Sequence, residues 1–360
     1  MTVEIRSVGL VGSGVMGLGI AQIAVLAGLP VRLVDAREGV AAAGVLRLLD
    51  TLAGLVAKGR VQPEQLAFAQ QALQAVGSVA DLAGCDLVIE AIVEDLGAKQ
   101  ALMRELEATL SAQAVLATNT SSLSVTAIAA GLQRPERVVG FHFFNPVPLM
   151  KVVEVIGGVR TAPEVVDALL ALGRRMGHTA VQAQDTPGFI VNHAGRGYGT
   201  EALRLLAEQV GSLEDIDRVL RDTAGFRLGP FELMDLTGLD VSHPVMESIY
   251  HQYYEEPRFR PQGITRQRLI AGLLGRKSGQ GFYAYVDGQP QRSPEVAPGP
   301  ERPAAVWVSP ADPAGAQAAR QLLATLGARI DAGAQPAADS LCLVTPLGLD
   351  VSTLVAQQGL

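Results

Sequence analysis

One short segment near the N-terminus constrains the fold of this chain more than any other. A β-branched run, Val8 to Val11, breaks at Gly12-x-Gly14-x-x-Gly17 and continues as an apolar helix from Leu18 to Ala27. Gly12 permits a tight turn, Gly14 lets backbone N–H groups approach a pyrophosphate, and Gly17 lets the helix pack against the strand. Glycine makes up 39 of 360 residues, so the glycine spacing alone is weak evidence. It is informative because it lies between a predicted strand and a predicted helix. It predicts a dinucleotide-binding turn, and the alternative is a structural glycine-rich turn.

A second strand, Val31 to Val34, ends in Asp35, at the distance expected for an acid that binds a ribose. Its carboxylate would accept hydrogen bonds from a ribose 2′-hydroxyl and repel a 2′-phosphate, which favours NAD over NADP. Arg37 lies two residues beyond Asp35, and its positive charge leaves NADP as an alternative cofactor. We expect the cofactor to contact the glycine turn and this acid through Gly12, Gly14, Val15, Met16, Gly17 and Asp35.

Composition excludes several classes of protein. The chain is 48% hydrophobic and 18% charged with a net charge of -7, which indicates a soluble globular protein and argues against nucleic-acid binding. Cys85 and Cys342 lie far apart, so we expect neither a disulfide nor a metal site, and a reducing cytoplasm. Residues 7–31 contain no charge but hold six glycines and change from strand to helix rhythm, so we expect no membrane span and no signal peptide.

The spacing of strands and helices predicts four parts. Residues 1–184 alternate strand and helix, which predicts a Rossmann-type, doubly wound parallel sheet with a helical hairpin at 40–75. Residues 185–286 predict an all-α domain in which Thr186 caps a first helix. Residues 287–304 predict a linker, and 305–360 a small α/β extension that is a shortened form or a fragment. The helices predicted in the second part span 189–209, 213–224, 230–238, 241–255 and 264–274.

A histidine and a carboxylate stand in consecutive predicted strands. His142 lies in the apolar strand Val138 to Phe144, and Glu154 lies in the next strand, Lys151 to Ile156. Each alone is more often a satisfied core or surface group. If the two face each other, the carboxylate orients the ring and stabilises the imidazolium that forms when the histidine accepts a proton. This pair is what the oxidation of an alcohol requires: the base takes the hydroxyl proton while a hydride leaves for nicotinamide.

These motifs together resemble the L-3-hydroxyacyl-CoA dehydrogenases over residues 1–285. The matching segments are Gly9 to Gly17, Val88 to Glu94, Thr118 to Leu123, Gly140 to Pro148, Asp185 to Asn192, Gly229 to Asp235 and Gly275 to Tyr283. The resemblance implies NAD-dependent oxidation of (3S)-3-hydroxyacyl-CoA to 3-oxoacyl-CoA in fatty-acid or aromatic-acid catabolism. It also implies an acyl-CoA substrate and a homodimer formed through the helical domain. One rival is a non-catalytic, NAD-binding structural or sensing relative; another is a dehydrogenase of free hydroxy acids, whose family usually uses a catalytic lysine.

The resemblance also assigns roles to single residues. It implies that His142 is the catalytic base, that Glu154 is its partner, and that Ser121 and Asn192 hydrogen-bond the substrate or the reacting oxygen. The residues that it places at NAD are Glu94, Lys99, Asn145 and Lys277. Lys58, in the hairpin, is a weaker candidate for the CoA site. Apart from the resemblance, these are ordinary surface charges, a helix-terminal acid, a turn residue and a surface amide.

Two departures from the family stand out. The helix after Asn192 contains Gly195, Gly197 and Gly199 where relatives carry bulkier apolar residues, and the chain continues for residues 286–360 where the simplest relatives end. Three helical glycines cost about 1 kcal/mol each relative to alanine, so either close helix packing or space for substrate must offset them. The face shared by Asn192, Gly195 and Gly199 favours a wider acyl pocket.

Overall fold

The computed structural model describes residues 3–294 and 302–360. The chain divides into one compact unit that ends at Arg292 and another that begins at Ser293. The strands of the first unit's main sheet are β1 Val8–Val11, β2 Val31–Val34, β3 Leu73–Ala75, β4 Leu87–Glu90, β5 Val115–Thr118, β6 Val138–Phe143, β7 Val152–Gly157 and β8 Thr179–Gln184. The helices between them are α1 Val15–Leu26, α2 Val40–Ala57, α3 Pro63–Ala72, α4 Leu96–Thr109, α5 Val125–Ala129 and α6 Pro163–Arg175.

The eight strands form one sheet in the order β3-β2-β1-β4-β5-β6-β7-β8. All neighbours pair in parallel except β6 and β7, which are antiparallel. The strand order reverses direction between β1 and β4, and ligands bind at such a switch point, beyond the carboxyl ends of the strands. The predicted doubly wound sheet is confirmed, and its one antiparallel pair carries the two residues singled out for chemistry.

Apolar side chains cover both faces of this sheet, because its central strands are buried on both sides. Helices α1, α2, α3 and α6 pack on one face, and α4 and α5 pack on the other. Within the described residues α2 is the one helix long and apolar enough to cross a membrane by length and composition, with a mean hydropathy of 1.7. It belongs to the helical hairpin and packs against α1 and α3.

The hairpin ends earlier than the sequence predicts. Residues 73–75 were expected to continue its second helix, but they form β3, the edge strand beside β2. Leu73 has an extended backbone and a buried side chain. Pairing with the sheet edge satisfies its backbone groups and buries the leucine, which a further helical turn would not do.

The second part of the first unit is mainly helical. Its elements are α7 Val191–Ala194, α8 Arg196–Ala207, α9 Leu213–Arg218, α10 Pro230–Thr237, α11 Leu239–Gln252, α12 Gly263–Ile270, and a hairpin of β9 Ala284–Val286 and β10 Gln289–Gln291. Leu203, Phe231, Leu239 and Phe282 lie in its own buried core. The predicted helix 213–224 continues past α9 as a wider π-helical turn over Val219–Thr223.

The expected N-cap at Thr186 is wrong. Residues 185–190 form turns in which Phe189 has a φ of 50°, and the helix begins only at Val191. The backbone N–H groups of Ile190 and Val191 are capped instead by the carboxylate of Glu154, 36 or more residues away. The single helix expected over 189–209 is divided at Gly195, which separates α7 from α8.

The second unit is a small α/β fold of its own. It comprises β11 Ala305–Val308, α13 Pro313–Thr325, β12 Ile330–Asp331, β13 Ser340–Leu343 and α14 Val351–Gln358, with a parallel sheet in the order β12-β11-β13. The sequence predicted strand, helix and strand here but missed β12 and α14. Part of the linker expected over 287–304 is strand β10, and its residues 295–301 lie outside the described residues.

Candidate active site

The glycine turn between β1 and α1 is shaped by two different demands. A Cβ on Gly12, whose φ is 102°, would lie 2.4 Å from the carbonyl oxygen of Ala91, and one on Gly17 would lie 1.8 Å from the Gly12 oxygen. The protein itself therefore requires glycine at both positions. At Gly14 a Cβ would meet nothing within 4 Å. That open space fits the approach of a pyrophosphate to the backbone at the start of α1.

Asp35 closes this end of the site as an ionised acid. Its Oδ2 accepts hydrogen bonds from Ser13 N at 2.9 Å and Ser13 Oγ at 2.6 Å. Its Oδ1 accepts from Arg37 N and Nε at 3.1 and 3.3 Å. Burial raises the pKa of Asp35, but the bonds from Ser13 and Arg37 outweigh it and hold the pKa well below its usual range. The residues that surround a bound ribose would thus include a fixed negative charge.

His142 and Glu154 meet across the antiparallel pair. They are direct register partners on β6 and β7, so their side chains leave the same face of the sheet. His142 Nδ1 lies 2.7 Å from Glu154 Oε2, and both side chains are buried. The rings of Phe144 and Phe189 lie 4.4 and 5.7 Å from the imidazole centroid. No described residue hydrogen-bonds His142 Nε2, so this nitrogen is free to serve a substrate.

Glu154 also ties the sheet to the start of the helical part. Its Oε1 accepts hydrogen bonds from Ile190 N and Val191 N, both at 2.9 Å. Burial raises the pKa of Glu154, but the hydrogen bonds from His142, Val191 and Ile190 outweigh it, so its pKa lies below the usual value. The carboxylate remains charged and fully bonded, and it fixes both the imidazole and the residues just before Asn192.

Ser121 and Asn192 are brought together as well. Asn192 Nδ2 donates to the carbonyl oxygen of Ser121 at 3.1 Å. Ser121 N and Oγ donate to Glu94 Oε1 at 2.8 and 3.3 Å. Glu154 binds both His142 and the N–H of Val191, the residue before Asn192. Asn192 in turn binds Ser121, so these hydrogen bonds and one peptide bond connect His142 to Ser121. Four residues that are far apart in sequence form a single network.

The loop that carries Ser121 is held by an ion cluster in which Glu90 and Lys99 are buried and Glu94 is partly exposed. Glu94 Oε1 also accepts from Thr120 Oγ1 at 2.7 Å, and Lys99 Nζ lies 3.3 Å from Glu94 and 2.8 Å from Glu90. Burial raises the pKa of Glu94, but Lys99 and the loop donors outweigh it and lower the pKa. The ammonium of Lys99 is buried between two carboxylates rather than solvated. It therefore acts on the site through Glu94.

The remaining candidates lie apart from this network. Asn145 is exposed and precedes Pro146 across a cis peptide bond. Lys277 is exposed and its Nζ lies 2.7 Å from Asp240. Lys58 is exposed at the end of α2. Within residues 3–294 and 302–360 no hydrogen bond or ion pair joins Lys58, Asn145 or Lys277 to the His142–Glu154 pair.

Sequence reasoning missed three residues that position the site. Asn119 Oδ1 accepts a hydrogen bond from Phe143 N at 2.9 Å, beside the histidine. Gln252 Nε2 donates to the carbonyl oxygen of Ser122 at 2.8 Å. Glu90 binds Lys99 and Thr118 Oγ1. Glu90 and Asn119 stand at or just after the ends of buried strands, which was an available signal, whereas nothing in the sequence around Gln252 pointed to this contact.

Comparison with known proteins assigns this geometry to a family. The NAD-binding domain of 3-hydroxyacyl-CoA dehydrogenase matches residues 7–186, and the C-terminal domain of the same enzyme matches residues 188–285. The chain belongs to the 3-hydroxyacyl-CoA dehydrogenase family. The resemblance seen in the sequence is confirmed, and so are NAD as the cofactor and the class of NAD-dependent dehydrogenases.

Individual relatives agree with the assignment. The chain is 44% identical over 289 residues to a 3-hydroxyadipyl-CoA dehydrogenase of Escherichia coli, a match that covers 79% of this chain and 60% of that protein. It is 39% identical to a probable 3-hydroxybutyryl-CoA dehydrogenase of Bacillus subtilis, over 79% of this chain and 99% of the relative. The crystal structure of a (S)-3-hydroxybutyryl-CoA dehydrogenase from Ralstonia eutropha superposes with a TM-score of 0.76 at 36% identity, over 79% of this chain and 100% of that one.

Proposed function

We propose that this protein oxidises (3S)-3-hydroxyacyl-CoA to 3-oxoacyl-CoA with NAD, reversibly, in fatty-acid or aromatic-acid catabolism. The observation that supports this most is the His142–Glu154 pair. The imidazole is fixed through Nδ1 by a charged carboxylate, and its Nε2 makes no hydrogen bond within the described residues. An imidazole held in this way can accept a proton at Nε2 while the carboxylate stabilises the resulting cation.

Each proposed catalytic group has one task. His142 Nε2 removes the proton of the substrate hydroxyl, and Glu154 Oε2 holds the Nδ1 proton and balances the imidazolium charge. Bound NAD supplies the acceptor for the hydride. Ser121 and Asn192 orient the reacting oxygen, because they are hydrogen-bonded to each other and held by Glu94 and Glu154. The half-buried ring of Phe144 and the buried ring of Phe189 shield this side of His142 from water.

The cofactor residues proposed from the sequence divide into those that would contact the cofactor and those that would act through another residue. Gly12, Gly14, Gly17 and Asp35, together with Val15 and Met16, surround the open turn at the start of α1 and suit the pyrophosphate and ribose. The exposed residues Glu94, Asn145 and Lys277 are proposed to contact the cofactor directly. For Lys99, burial beside Glu90 supports an indirect role. For CoA, Lys58 remains a proposal from the hairpin alone.

The test is spectrophotometric. Wild type should consume NADH in the presence of acetoacetyl-CoA, and His142→Ala should lower kcat by about two to four powers of ten with NADH affinity nearly unchanged. His178→Ala is the matched control, because His178 is also buried but bonds only backbone carbonyls. Near-normal turnover in His142→Ala would overturn the mechanism. A wild type that binds NADH but never turns over would favour the non-catalytic rival.

Assembly and location are also proposals. The helical part exposes apolar side chains, among them Val191, Phe226, Leu236 and Val241, which supports a homodimer through this part. Light scattering at micromolar concentration should give twice the chain mass, and a monomer would refute the dimer. Cys85 and Cys342 are both free thiols, which suits the proposed cytoplasmic location. The four-part domain division is likewise proposed, with its first boundary between residues 184 and 185.

A further inference from the structure

One arginine near the site has no counter-ion. The Nε of Arg196 is buried and has no hydrogen-bond partner. Within the described residues no carboxylate lies within 4.0 Å of its guanidinium. Burial lowers the pKa of Arg196, since it disfavours the charged form. Arg196 as a whole is half-buried, but an Nε that is shielded from water and has no acceptor is costly, so a partner for this nitrogen is expected.

The other half-buried arginines that the structure describes in the helical part are compensated. Arg204, two turns further along α8, pairs with Glu201, and both Arg221 and Arg292 pair with Glu232. The Nε of Arg268 is also buried without a partner, but its guanidinium lies 4.6 Å from the centroid of the Phe282 ring, over its face. Arg196 has neither kind of compensation. Among the half-buried arginines described in this part, Arg196 alone therefore lacks compensation.

Arg196 lies one helical turn beyond Asn192. Gly195, between α7 and α8, keeps a helical backbone with φ of −72° and ψ of −10°, so positions 192 and 196 share a face. Side chains on a helix lean toward its N-terminus, which carries the arginine over the turn of Asn192. Asn192 in turn reaches Ser121. Helical spacing therefore directs the arginine toward the amide proposed to orient the reacting oxygen.

The glycines on this helix leave room around the arginine. A Cβ on Gly197 would meet nothing within 4 Å, and one on Gly199 would make only an ordinary contact with Met234 at 3.7 Å. Close packing against another helix therefore does not require glycine at either position. Space for a ligand is therefore the better supported explanation at Gly197 and Gly199, whereas a Cβ on Gly195 would lie 3.0 Å from the carbonyl oxygen of Val191.

We propose that Arg196 binds a second carboxylate at the far end of the acyl chain, so that the preferred substrate is the CoA thioester of a dicarboxylic 3-hydroxy acid. The inference rests on the proposed function, because it places C3 of the substrate at Asn192. One helical turn rises about 5.4 Å, which a few carbon–carbon bonds beyond C3 can span. A guanidinium binds a carboxylate through two parallel hydrogen bonds, whereas a terminal methyl group would leave the cation unpaired.

The test compares two substrates of equal length. In NADH oxidation, kcat/KM for 3-oxoadipyl-CoA should exceed that for 3-oxohexanoyl-CoA by about 10- to 100-fold, as expected for bonds to a charged group. Arg196→Met should abolish this ratio by lowering turnover of the dicarboxylate alone, and Arg196→Lys should retain part of it. Arg204→Met, on the same helix but already ion-paired, should leave the ratio unchanged.

The outcomes separate this inference from the function on which it rests. If wild type reduces neither substrate, the proposed function fails. If wild type reduces both with equal kcat/KM, or if Arg196→Met lowers both equally, the terminal carboxylate does not contact Arg196 and the inference is overturned. An equal loss for both substrates would instead indicate a contact with CoA or a structural role. Thermal unfolding of each variant shows whether it is folded when the ratio is measured.

Discussion

Two buried carboxylates, one in the candidate active site and one in the helical part, accept the same number of hydrogen bonds, but their pKa values are shifted in opposite directions. Glu154 accepts from His142 Nδ1 and from two successive backbone N–H groups. Asp217 accepts from the hydroxyl of Tyr283 and from the successive N–H groups of Phe231 and Glu232. Burial raises the pKa of Asp217 to about 6, whereas the pKa of Glu154 lies below its usual value.

The charges around each acid explain the difference. For Asp217 burial is the largest influence, its hydrogen bonds do not outweigh it, and the nearby Glu232 carboxylate raises the pKa further. For Glu154 the facing imidazole lowers the pKa through its hydrogen bond and its charge. Three hydrogen bonds are therefore not enough to keep a buried acid ionised. Glu154 stays charged because its partner can take a positive charge, which is also what the proposed base catalysis requires.

Of the carboxylate substitutions, Glu154→Gln should lower turnover most. The amide oxygen can still accept from Ile190 and Val191, but the amide NH₂ would then face His142 Nδ1 and force that nitrogen to accept a hydrogen bond. The ring proton moves to Nε2, which can no longer act as a base, so kcat should fall about 10²- to 10³-fold with the fold retained. Steady-state kinetics with acetoacetyl-CoA and NADH measure this.

The matched control is the same change at the other acid. Asp217→Asn is also a carboxylate-to-amide substitution at a buried position with three donors. It should leave kcat within about threefold of wild type, since surface or core changes away from the site act on stability. Equal losses of kcat in both variants would show that Glu154 supports folding rather than the base.

A smaller effect, on cofactor preference, is expected from substitution of Asp35. This third ionised carboxylate is held by a serine and an arginine. Asp35→Ser should narrow the preference for NADH over NADPH by about tenfold, because it removes the charge that repels a 2′-phosphate. Asp81→Ser is the control, since Asp81 accepts the same pair of bonds from the N and Oγ of Ser78 on the surface. A wild type that used both cofactors equally well would contradict this assignment.

The contributions of the two buried acids to the stability of the protein should depend on pH in opposite ways. The folded-state pKa of Asp217 is raised from 3.8 to about 6, so the folded state binds more protons between these values and this group's contribution to stability falls as pH rises through them. Glu154, whose folded pKa is lowered, contributes stability above its usual value of 4.5 that is lost as pH falls. Asp217→Asn should therefore lower Tm less at pH 7 than at pH 4.5, by a few °C.

Differential scanning calorimetry of wild type and variant at the two pH values measures whether the loss in Tm changes with pH in this direction. Glu154→Gln should behave in the opposite way and lower Tm more at pH 4.5 than at about pH 3, the range in which protonation removes the contribution of Glu154. If the loss in Tm for Asp217→Asn were the same at both values, Asp217 would titrate normally in the folded protein. The contrast between the two acids would then not be one of charge.

The sequence predicted the parts of the site that local patterns encode. The glycine turn, Asp35 and the two strands carrying His142 and Glu154 follow from strand and helix rhythm, and the family resemblance supplied Ser121 and Asn192. What it could not predict are contacts between distant segments. The start of α7 is set by Glu154 across 36 residues, so the local signal of Thr186 and Pro187 misplaced the helix. Burial of Lys99 between two acids likewise arises only when β4 and α4 pack.

The smallest effect on turnover should follow removal of the C-terminal unit. None of the proposed site residues lies beyond Lys277, so a chain ending after Pro294 should keep wild-type kcat. A chain ending after Gly288 loses β10 and the ion pair between Arg292 and Glu232. Glu232 then keeps one ion pair, with Arg221, whose Nη1 lies 3.0 Å from Glu232 Oε1. The Tm of this shorter chain should be a few °C lower, since a partly exposed ion pair contributes about 1 kcal/mol. Arg292→Met in the full chain isolates the ion pair from the strand. Lost turnover in a folded chain ending after Pro294 would show that the removed segment takes part in the site.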